Sequence, residues 1–203
     1  MQLSKIRERL SGRVSGPIDK MTANAVLVPM VETADGVCLL FETRSKSIIQ
    51  GGDVCFPGGM CEEGESPLET ALRETEEELG ISADNIEIIA PLDYLQNHAV
   101  LIYPFAAVIN EECLKDIRMD EEVDNWFLIP LDWLIKTKPG LFRIKTGPVN
   151  TDEIPYEESG IPRDYHWRFG FNKTYYWPRF EGHLLWGLTA RITVSLLESI
   201  ENL

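Results

Sequence analysis

Residues 59–81 read GMCEEGESPLETALRETEEELGI, and this segment carries the start and stop signals of one helix. Ser66 is a good N-cap residue, and Glu69 three positions later completes a capping box. Gly80 suits the left-handed position that follows the last helical turn. The segment therefore predicts a helix of about three and a half turns from Pro67 to Leu79.

The predicted helix has one apolar and one acidic face. Its apolar residues recur at i, i+4, i+7 and i+11 and should pack on a sheet; they are Leu68, Leu72, Thr75 and Leu79. On the other side, Glu74 and Glu78 are one turn apart, and Glu77 lies about 60° around the axis from Glu74. Three carboxylates therefore share one patch, where we expect Glu78 to be solvated.

This patch has two interpretations. Residues 76–78 form a run of charge, which is typical of a solvated helix face. Alternatively, a divalent cation would turn the repulsion between Glu74 and Glu78, about 0.2–0.5 kcal/mol in an isolated helix, into an attraction. Mg²⁺ prefers carboxylate oxygens, keeps several waters and commonly meets substrate phosphates.

Several neighbouring residues fit the second interpretation. Arg73 precedes Glu77 by one turn and can pair with it, while Glu65 precedes the helix and can turn back to hold Arg73. Gly58 and Gly59 bring bare backbone close to the helix, where a carbonyl oxygen could reach a metal ion. Hydrolysis of a diphosphate needs such charge neutralisation, an oriented water and a base.

The spacing of these residues resembles the Nudix box of the Nudix hydrolase family, with Thr75 in place of a more apolar residue. The matching positions are Gly59, Glu65, Arg73, Glu74, Glu77, Glu78, Gly80 and Ile81. The resemblance implies a Nudix-type α/β/α sandwich with a mixed sheet and a cofactor of Mg²⁺ or Mn²⁺. It also implies that Glu74 and Glu78 bind the metal, that Glu77 is a third ligand or the base, that Gly59 offers its backbone, and that Arg73 and Glu65 orient the others.

The segment before the box narrows the resemblance. Residues 39–59, LLFETRSKSIIQGGDVCFPGG, are similar to the corresponding segment of coenzyme A diphosphatases within the family. That likeness implies hydrolysis of coenzyme A or acyl-CoA to 3′,5′-ADP and 4′-phosphopantetheine. Arg44 and Lys46 are candidate contacts for substrate phosphates, with ordinary surface charge as the alternative.

Other functions stay open at this point. A pyrophosphatase for ADP-ribose or another nucleoside diphosphate derivative would share the metal site and differ in its recognition loops. A Nudix-like nucleotide sensor without turnover would often lack some of the box glutamates, and all of them are present here. A purely structural acidic domain would show no stabilisation by magnesium.

The rest of the chain predicts one α/β domain over residues 1–203. Strands are expected at 25–32 and 37–43, joined as a hairpin by Asp35-Gly36, and at 86–93, 101–109 and 126–129. Residues 1–20 are expected to form a short surface helix and lead-in, and a short helix is expected to start at residue 131. An irregular, aromatic-rich insertion covers 138–183, before a last amphipathic helix at 184–200 whose spaced apolar residues include Leu185 and Leu188.

Composition excludes some partners. The formal net charge of −14 argues against nucleic-acid and anionic-membrane binding, and the expected partner is a small nucleotide-derivative substrate. No apolar run is long enough for a membrane span, so we expect a cytoplasmic protein, with a homodimer left open. The four cysteines show no CxxC pairing and are expected to be reduced thiols.

A few further residues have two interpretations each. Four aromatic side chains of the insertion could stack on adenine or, more often, pack as a satellite core: Trp167, Phe169, Tyr175 and Trp177. Glu121 and Glu122 could provide a distant base or ligand, or simply be solvated. The three histidines share no ligand spacing and receive no role: His98, His166 and His183.

Overall fold

The computed structural model describes residues 2–14, 18–19, 21–97 and 100–201. In chain order, its helices and strands are α1 (Leu3–Leu10), β1 (Thr22–Thr33), β2 (Gly36–Arg44), β3 (Val54–Cys55), β4 (Gly58–Met60), α2 (Pro67–Leu79), β5 (Ile86–Pro91), β6 (Leu95–Asn97), β7 (Val100–Ile109), β8 (Val123–Pro130), α3 (Leu131–Thr137), β9 (Gly140–Thr146), α4 (Tyr156–Ser159), β10 (Gly170–Tyr176) and α5 (Gly187–Glu201). Short 3₁₀ turns cover Ala83–Asn85, Glu111–Asp116 and Thr151–Glu153.

The first two strands form the predicted hairpin. β1 and β2 pair antiparallel from Met30 opposite Leu39 to Thr33 opposite Gly36, across a two-residue turn. β1 also pairs in parallel with β7, and β2 pairs antiparallel with β8, so the sheet is mixed. β5 and β6 both pair with β7.

β1 and β2 separate beyond their paired ends, and the segment 54–60 fills the gap. β3 pairs with the end of β2, while β4 pairs with the start of β1, with Ala25 opposite Gly59 and Val26 opposite Gly58. The Leu27 N–H donates a hydrogen bond to the Pro57 carbonyl at 2.9 Å. This wedge fixes the glycine pair on the sheet, directly beneath α2.

The sheet carries a hydrophobic core on each face. Residues on one side of the alternating strands, such as Leu27 and Leu40, pack with Leu79 of α2. Residues on the other side, such as Val28 and Phe41, pack with α5, α3 and Trp177. The layered arrangement confirms the predicted α/β/α sandwich with a mixed sheet.

The buried face of α2 differs from the predicted one. Leu68 and Leu72 are only half-buried, and the fully buried residues are Thr70, Ala71, Thr75, Glu78 and Leu79. The glycines of β4 have no side chains, so the strand backbone approaches the helix closely and buries the face that includes Glu78. Apolar spacing alone cannot register such an approach.

Two predictions about the C-terminal third are wrong in detail. The segment predicted as irregular contains a two-stranded antiparallel sheet of β9 and β10, with Gly140 opposite Tyr176 and Thr146 opposite Gly170. Its strands are separated by more than 20 residues, so no hairpin turn signal joins them. The last helix begins at Gly187, so Leu185 packs in the core ahead of it, and Leu188 is 37% exposed.

The smaller elements agree better with the sequence. α1 is a surface helix without buried residues, and all four cysteines are free thiols, as predicted. β5 ends at Pro91, two residues before the predicted end, and β6 adds a short strand that the sequence did not indicate. Within the described ranges, no helix has the length and apolarity needed to cross a membrane.

Candidate active site

The capping interactions that position α2 are those predicted. The Ser66 N–H donates to Glu69 Oε2 at 2.8 Å, and the Ser66 hydroxyl accepts from the Glu69 N–H at 3.4 Å. Gly80 has a φ of 71°, and its N–H donates to the Glu76 carbonyl. These contacts fix where the helix starts and stops, and with it the direction of each glutamate.

Gly58 and Gly59 touch the acidic side of α2. The Gly58 N–H donates a hydrogen bond to Glu78 Oε2 at 2.8 Å. A Cβ atom on Gly59 would lie 2.5 Å from the Glu74 carboxylate, and one on Gly58 would lie 2.2 Å from the Ala25 carbonyl oxygen. Gly58 therefore needs glycine for steric reasons, a side chain at Gly59 would displace the Glu74 carboxylate, and the backbone of this segment lies against the two glutamates.

Arg73 links the acids on the outer side of the site. Its Nε and Nη2 donate to both Glu65 oxygens at 2.9 and 3.1 Å, while Nη1 lies 2.9 Å from Glu77 Oε2 and 2.8 Å from Glu74 Oε1. The bonds from Arg73, with one from the Thr70 hydroxyl, lower the pKa of Glu65 to about 2. Arg73 thus joins Glu65, Glu74 and Glu77 in one network, and its contacts with Glu65 and Glu77 are those predicted.

The three box glutamates have different surroundings. The Glu77 side chain is 56% exposed and that of Glu74 is 18% exposed, whereas the Glu78 residue is only 4% exposed. The expectation that Glu78 is solvated is therefore wrong, because β4 covers it. Burial raises the pKa of Glu74, and it raises the pKa of Glu78 to about 9, with the charge of Glu42 as the next cause.

Glu42 of β2, which was not among the residues predicted from the sequence, also belongs to this site. It is 1% exposed, and Cys55 Sγ–H donates to its Oε1 at 3.2 Å. Burial raises the pKa of Glu42 to about 7, and burial together with the nearby Glu42 carboxylate raises the pKa of the Cys55 thiol. One signal was available: Glu42 is a lone carboxylate inside the apolar strand VCLLFET.

A loop before β8 adds further negative charge. The Asp120 N–H donates to the Glu78 carbonyl at 3.2 Å, so the loop lies against the end of α2. The charges of Asp120 and Glu122 both raise the pKa of Glu42. Glu121 and Glu122 are exposed, and the prediction that either is a base stays untested.

Arg44 and Lys46 lie at different distances from these acids. Arg44 is half-buried, its Nε donates to the Ile49 carbonyl at 3.3 Å, and its charge lowers the pKa of Glu42. It follows Glu42 by two residues and so shares the α2 side of the sheet. Lys46 is exposed in the loop after β2, with its backbone N–H bound to Asp124.

The aromatic residues of the insertion are mostly involved in packing. Trp177 is fully buried, and its indole N–H donates to the Leu134 carbonyl at 3.0 Å. Lys145 Nζ lies 4.0 Å above the centroid of the Phe169 ring in a cation–π contact, and Trp167 packs edge-to-face on Tyr165. The adenine-stacking alternative for Trp177 is therefore wrong, because no face of its ring reaches solvent.

The histidines have structural surroundings where they are described. His183 stacks on Phe127 with ring centroids 3.7 Å apart, and His166 Nδ1 lies 2.9 Å from the Asp164 carbonyl oxygen. His98 lies outside the described residues. Among the residues that are described, no three histidine, cysteine, aspartate or glutamate side chains are arranged to hold a metal ion directly.

The site consists of carboxylates around a strand of bare backbone, with one bridging arginine. The family model described as NUDIX domain matches residues 21–146. Nudix hydrolase 3 of Caenorhabditis elegans is 35% identical over 150 residues, which is 71% of this chain but only 62% of that protein. The human mitochondrial coenzyme A diphosphatase NUDT8 is 29% identical over 199 residues, or 96% of this chain and 76% of that protein.

One solved structure supports the fold. RenU, a Nudix hydrolase from M. smegmatis, superposes with a TM-score of 0.50 at 17% identity, covering 59% of this chain and 76% of that one. The family match spans both central strands, the wedge, α2 and β8, which together build the carboxylate site. The chain therefore belongs to the Nudix hydrolase family.

Proposed function

We propose that this chain hydrolyses the diphosphate of coenzyme A or acyl-CoA, giving 3′,5′-ADP and 4′-phosphopantetheine. One observation carries the proposal: the segment 39–59, which resembles the lead-in of coenzyme A diphosphatases, ends in the glycine pair that lies against Glu74 and Glu78. The human relative bears the name of that activity and aligns with nearly the whole chain. Water adds to one phosphorus, and the bond from that phosphorus to the bridging oxygen breaks. The leaving phosphate keeps the bridging oxygen and the electron pair of the broken bond.

A divalent cation, Mg²⁺ or Mn²⁺, fits the donors at the site. Glu74, Glu78 and the Gly59 carbonyl provide only oxygen, which hard cations prefer, and Mg²⁺ needs just one or two carboxylates because it retains waters. Three side chains arranged around one point are therefore not required. The buried and unpartnered Oε2 of Glu42 further indicates that positive charge belongs here. When bound, the cation would neutralise the diphosphate and make water more acidic.

The chain's own residues then have separate tasks. Arg73 holds Glu74 and Glu77 at fixed angles, and Glu65 holds Arg73. Glu77 reaches solvent from the same network, where it accepts the proton of the attacking water or provides a further carboxylate. Arg44, on the same side of the sheet as Glu42, contacts a substrate phosphate, and the exposed Lys46 contributes long-range attraction.

The test is product analysis by mass spectrometry. Purified protein is incubated with Mg²⁺ or Mn²⁺ in H₂¹⁸O, with coenzyme A in one reaction and ADP-ribose in another. We expect 3′,5′-ADP and 4′-phosphopantetheine from coenzyme A, with ¹⁸O in only one of them, which identifies the attacked phosphorus. Glu78→Gln should be inactive, whereas the exposed Glu76→Gln on the same helix should match the wild type.

Two other outcomes would change the proposed substrate, and a third would change the roles of the residues. Cleavage of ADP-ribose alone would retain a Nudix diphosphatase and remove coenzyme A as its substrate. Cleavage of neither compound by a protein that binds both would favour a nucleotide sensor. Equal activity in Glu78→Gln and the wild type would refute the role of the box glutamates.

A further inference from the structure

A buried carboxylate in β2 has no place in the pattern of the Nudix box. Glu42 is 1% exposed and ends the buried run of β2 that starts at Cys38, in which it is the charged residue. An ionised carboxylate in such surroundings is costly unless it is paired. The fold nevertheless retains this carboxylate, which implies partners that offset the cost of burying it.

The neighbouring groups satisfy only one of the two oxygens of this carboxylate. Oε1 accepts the Cys55 Sγ–H at 3.2 Å, but Oε2 is buried and has no hydrogen-bond partner. Arg44 is the nearby positive charge, and its Nε is directed to the Ile49 carbonyl. A buried acceptor left in this way destabilises the fold, and more so when it is charged.

Strand alternation places Glu42 on the same side as Leu40, which packs beneath α2. Cys55, which donates to Glu42, and Gly58, which donates to Glu78, belong to the same short wedge, so the two carboxylates are bound to one segment of backbone. Glu42, Glu74 and Glu78 are nevertheless not arranged as three direct ligands of one ion. Mg²⁺ retains several waters when it binds to a protein. A carboxylate that is too far from the ion to bind it directly can therefore accept hydrogen bonds from these waters.

We propose that Glu42 is an outer carboxylate of the cation site, whose Oε2 accepts a hydrogen bond from the hydration shell of a divalent ion held by Glu74 and Glu78. The inference rests on the proposed function for the cation and adds a residue from the sheet to a site otherwise built by α2 and β4. Cys55 positions Glu42 by holding Oε1, which leaves Oε2 directed to the ion. Glu42 is thus a positioning residue and not a catalytic one.

The experiment measures Mn²⁺ binding by the full chain without substrate, from the electron paramagnetic resonance signal of free Mn²⁺. We expect Glu42→Gln to weaken the Mn²⁺ Kd about 10–100-fold, as for other outer-shell residues. Glu42→Asp, which retains the charge on a shorter stem, should fall between Gln and the wild type. Glu87→Gln, an exposed strand glutamate of β5, is the matched control and should leave Kd unchanged.

The outcomes separate this inference from the proposed function. A wild-type Kd in Glu42→Gln, together with a weakened Kd in Glu78→Gln, would overturn the role of Glu42 and leave the proposed function intact. Absence of Mn²⁺ binding by the wild type would overturn both. Circular dichroism of each variant without divalent ions identifies misfolding, and if Glu42→Gln misfolds, the Kd of Glu42→Asp decides.

Discussion

Glu78 combines a proposed role in binding the cation with a burial that costs stability. The residue is 4% exposed, and its Oε2 accepts the Gly58 N–H at 2.8 Å. In Glu78→Gln the amide oxygen can still accept this bond, while the cost of desolvating or protonating a buried carboxylate on folding disappears. We therefore expect the free energy of unfolding in EDTA to stay the same or rise by about 1 kcal/mol.

Activity should change in the opposite direction. We expect Glu78→Gln to lose about 100-fold or more in kcat, because in the proposed site this carboxylate holds the cation. Urea unfolding and turnover are measured on the same preparation, with Glu76→Gln as the control. Lower stability together with normal turnover would contradict the placement of Glu78 in the site.

The surroundings of Glu78 show which contacts between single residues the sequence can predict and which it cannot. Arg73 and Glu65 were predicted as partners because a helix fixes the offset of residues near its start. Glu42 could not be placed in this way, since its distance from Glu78 depends on how β2 lies under α2. Burial of Glu78 was missed for a similar reason: it depends on the close approach of Gly58, a contact between two elements.

The helix α2 is the element on which the site depends, and its first turn can be tested. Ser66→Ala removes the hydroxyl that accepts the Glu69 N–H, so we expect a loss of about 1 kcal/mol in the free energy of unfolding. Ser82 is a matched control, because it precedes a short 3₁₀ turn without any side-chain capping bond. Urea denaturation of both alanine variants gives the comparison, and equal losses would argue against the cap.

Elements differ in how far their own sequence defines them. α2 carries its caps, its apolar spacing and its terminal glycine within a single segment, and its predicted bounds are confirmed. β9 and β10 lack such signals, because their pairing joins residues far apart in the chain and most of their side chains are exposed. The wedge of β3 and β4 likewise exists only because β1 and β2 separate.

At the scale of the whole molecule, the fold concentrates negative charge that the formal net charge of −14 only suggests. β2, α2 and the loop before β8 each contribute acids to one region on a single face of the sheet, where the wedge binds two of them. Repulsion among these carboxylates opposes folding, and a bound cation would relieve it. Divalent ions should therefore stabilise the entire fold.

The size of this effect follows from linkage. At a Mg²⁺ concentration of about 100 times its Kd, binding to the folded state alone adds about 2.7 kcal/mol. For a chain of this length, that corresponds to a rise of roughly 5–10 °C in the unfolding midpoint Tm. We expect this rise when MgCl₂ is added to EDTA-treated wild type, measured by differential scanning calorimetry.

Two controls separate site binding from general screening of the negative charge. NaCl at matched ionic strength should raise Tm by much less, because it weakens repulsion without occupying the site. Glu78→Gln should lose most of the Mg²⁺ effect, since its remaining acids still attract the ion but no longer hold it. An equal rise in Glu78→Gln, or with NaCl alone, would mean that Mg²⁺ acts on the surface charge of the whole molecule and not at the carboxylates beside Gly58 and Gly59.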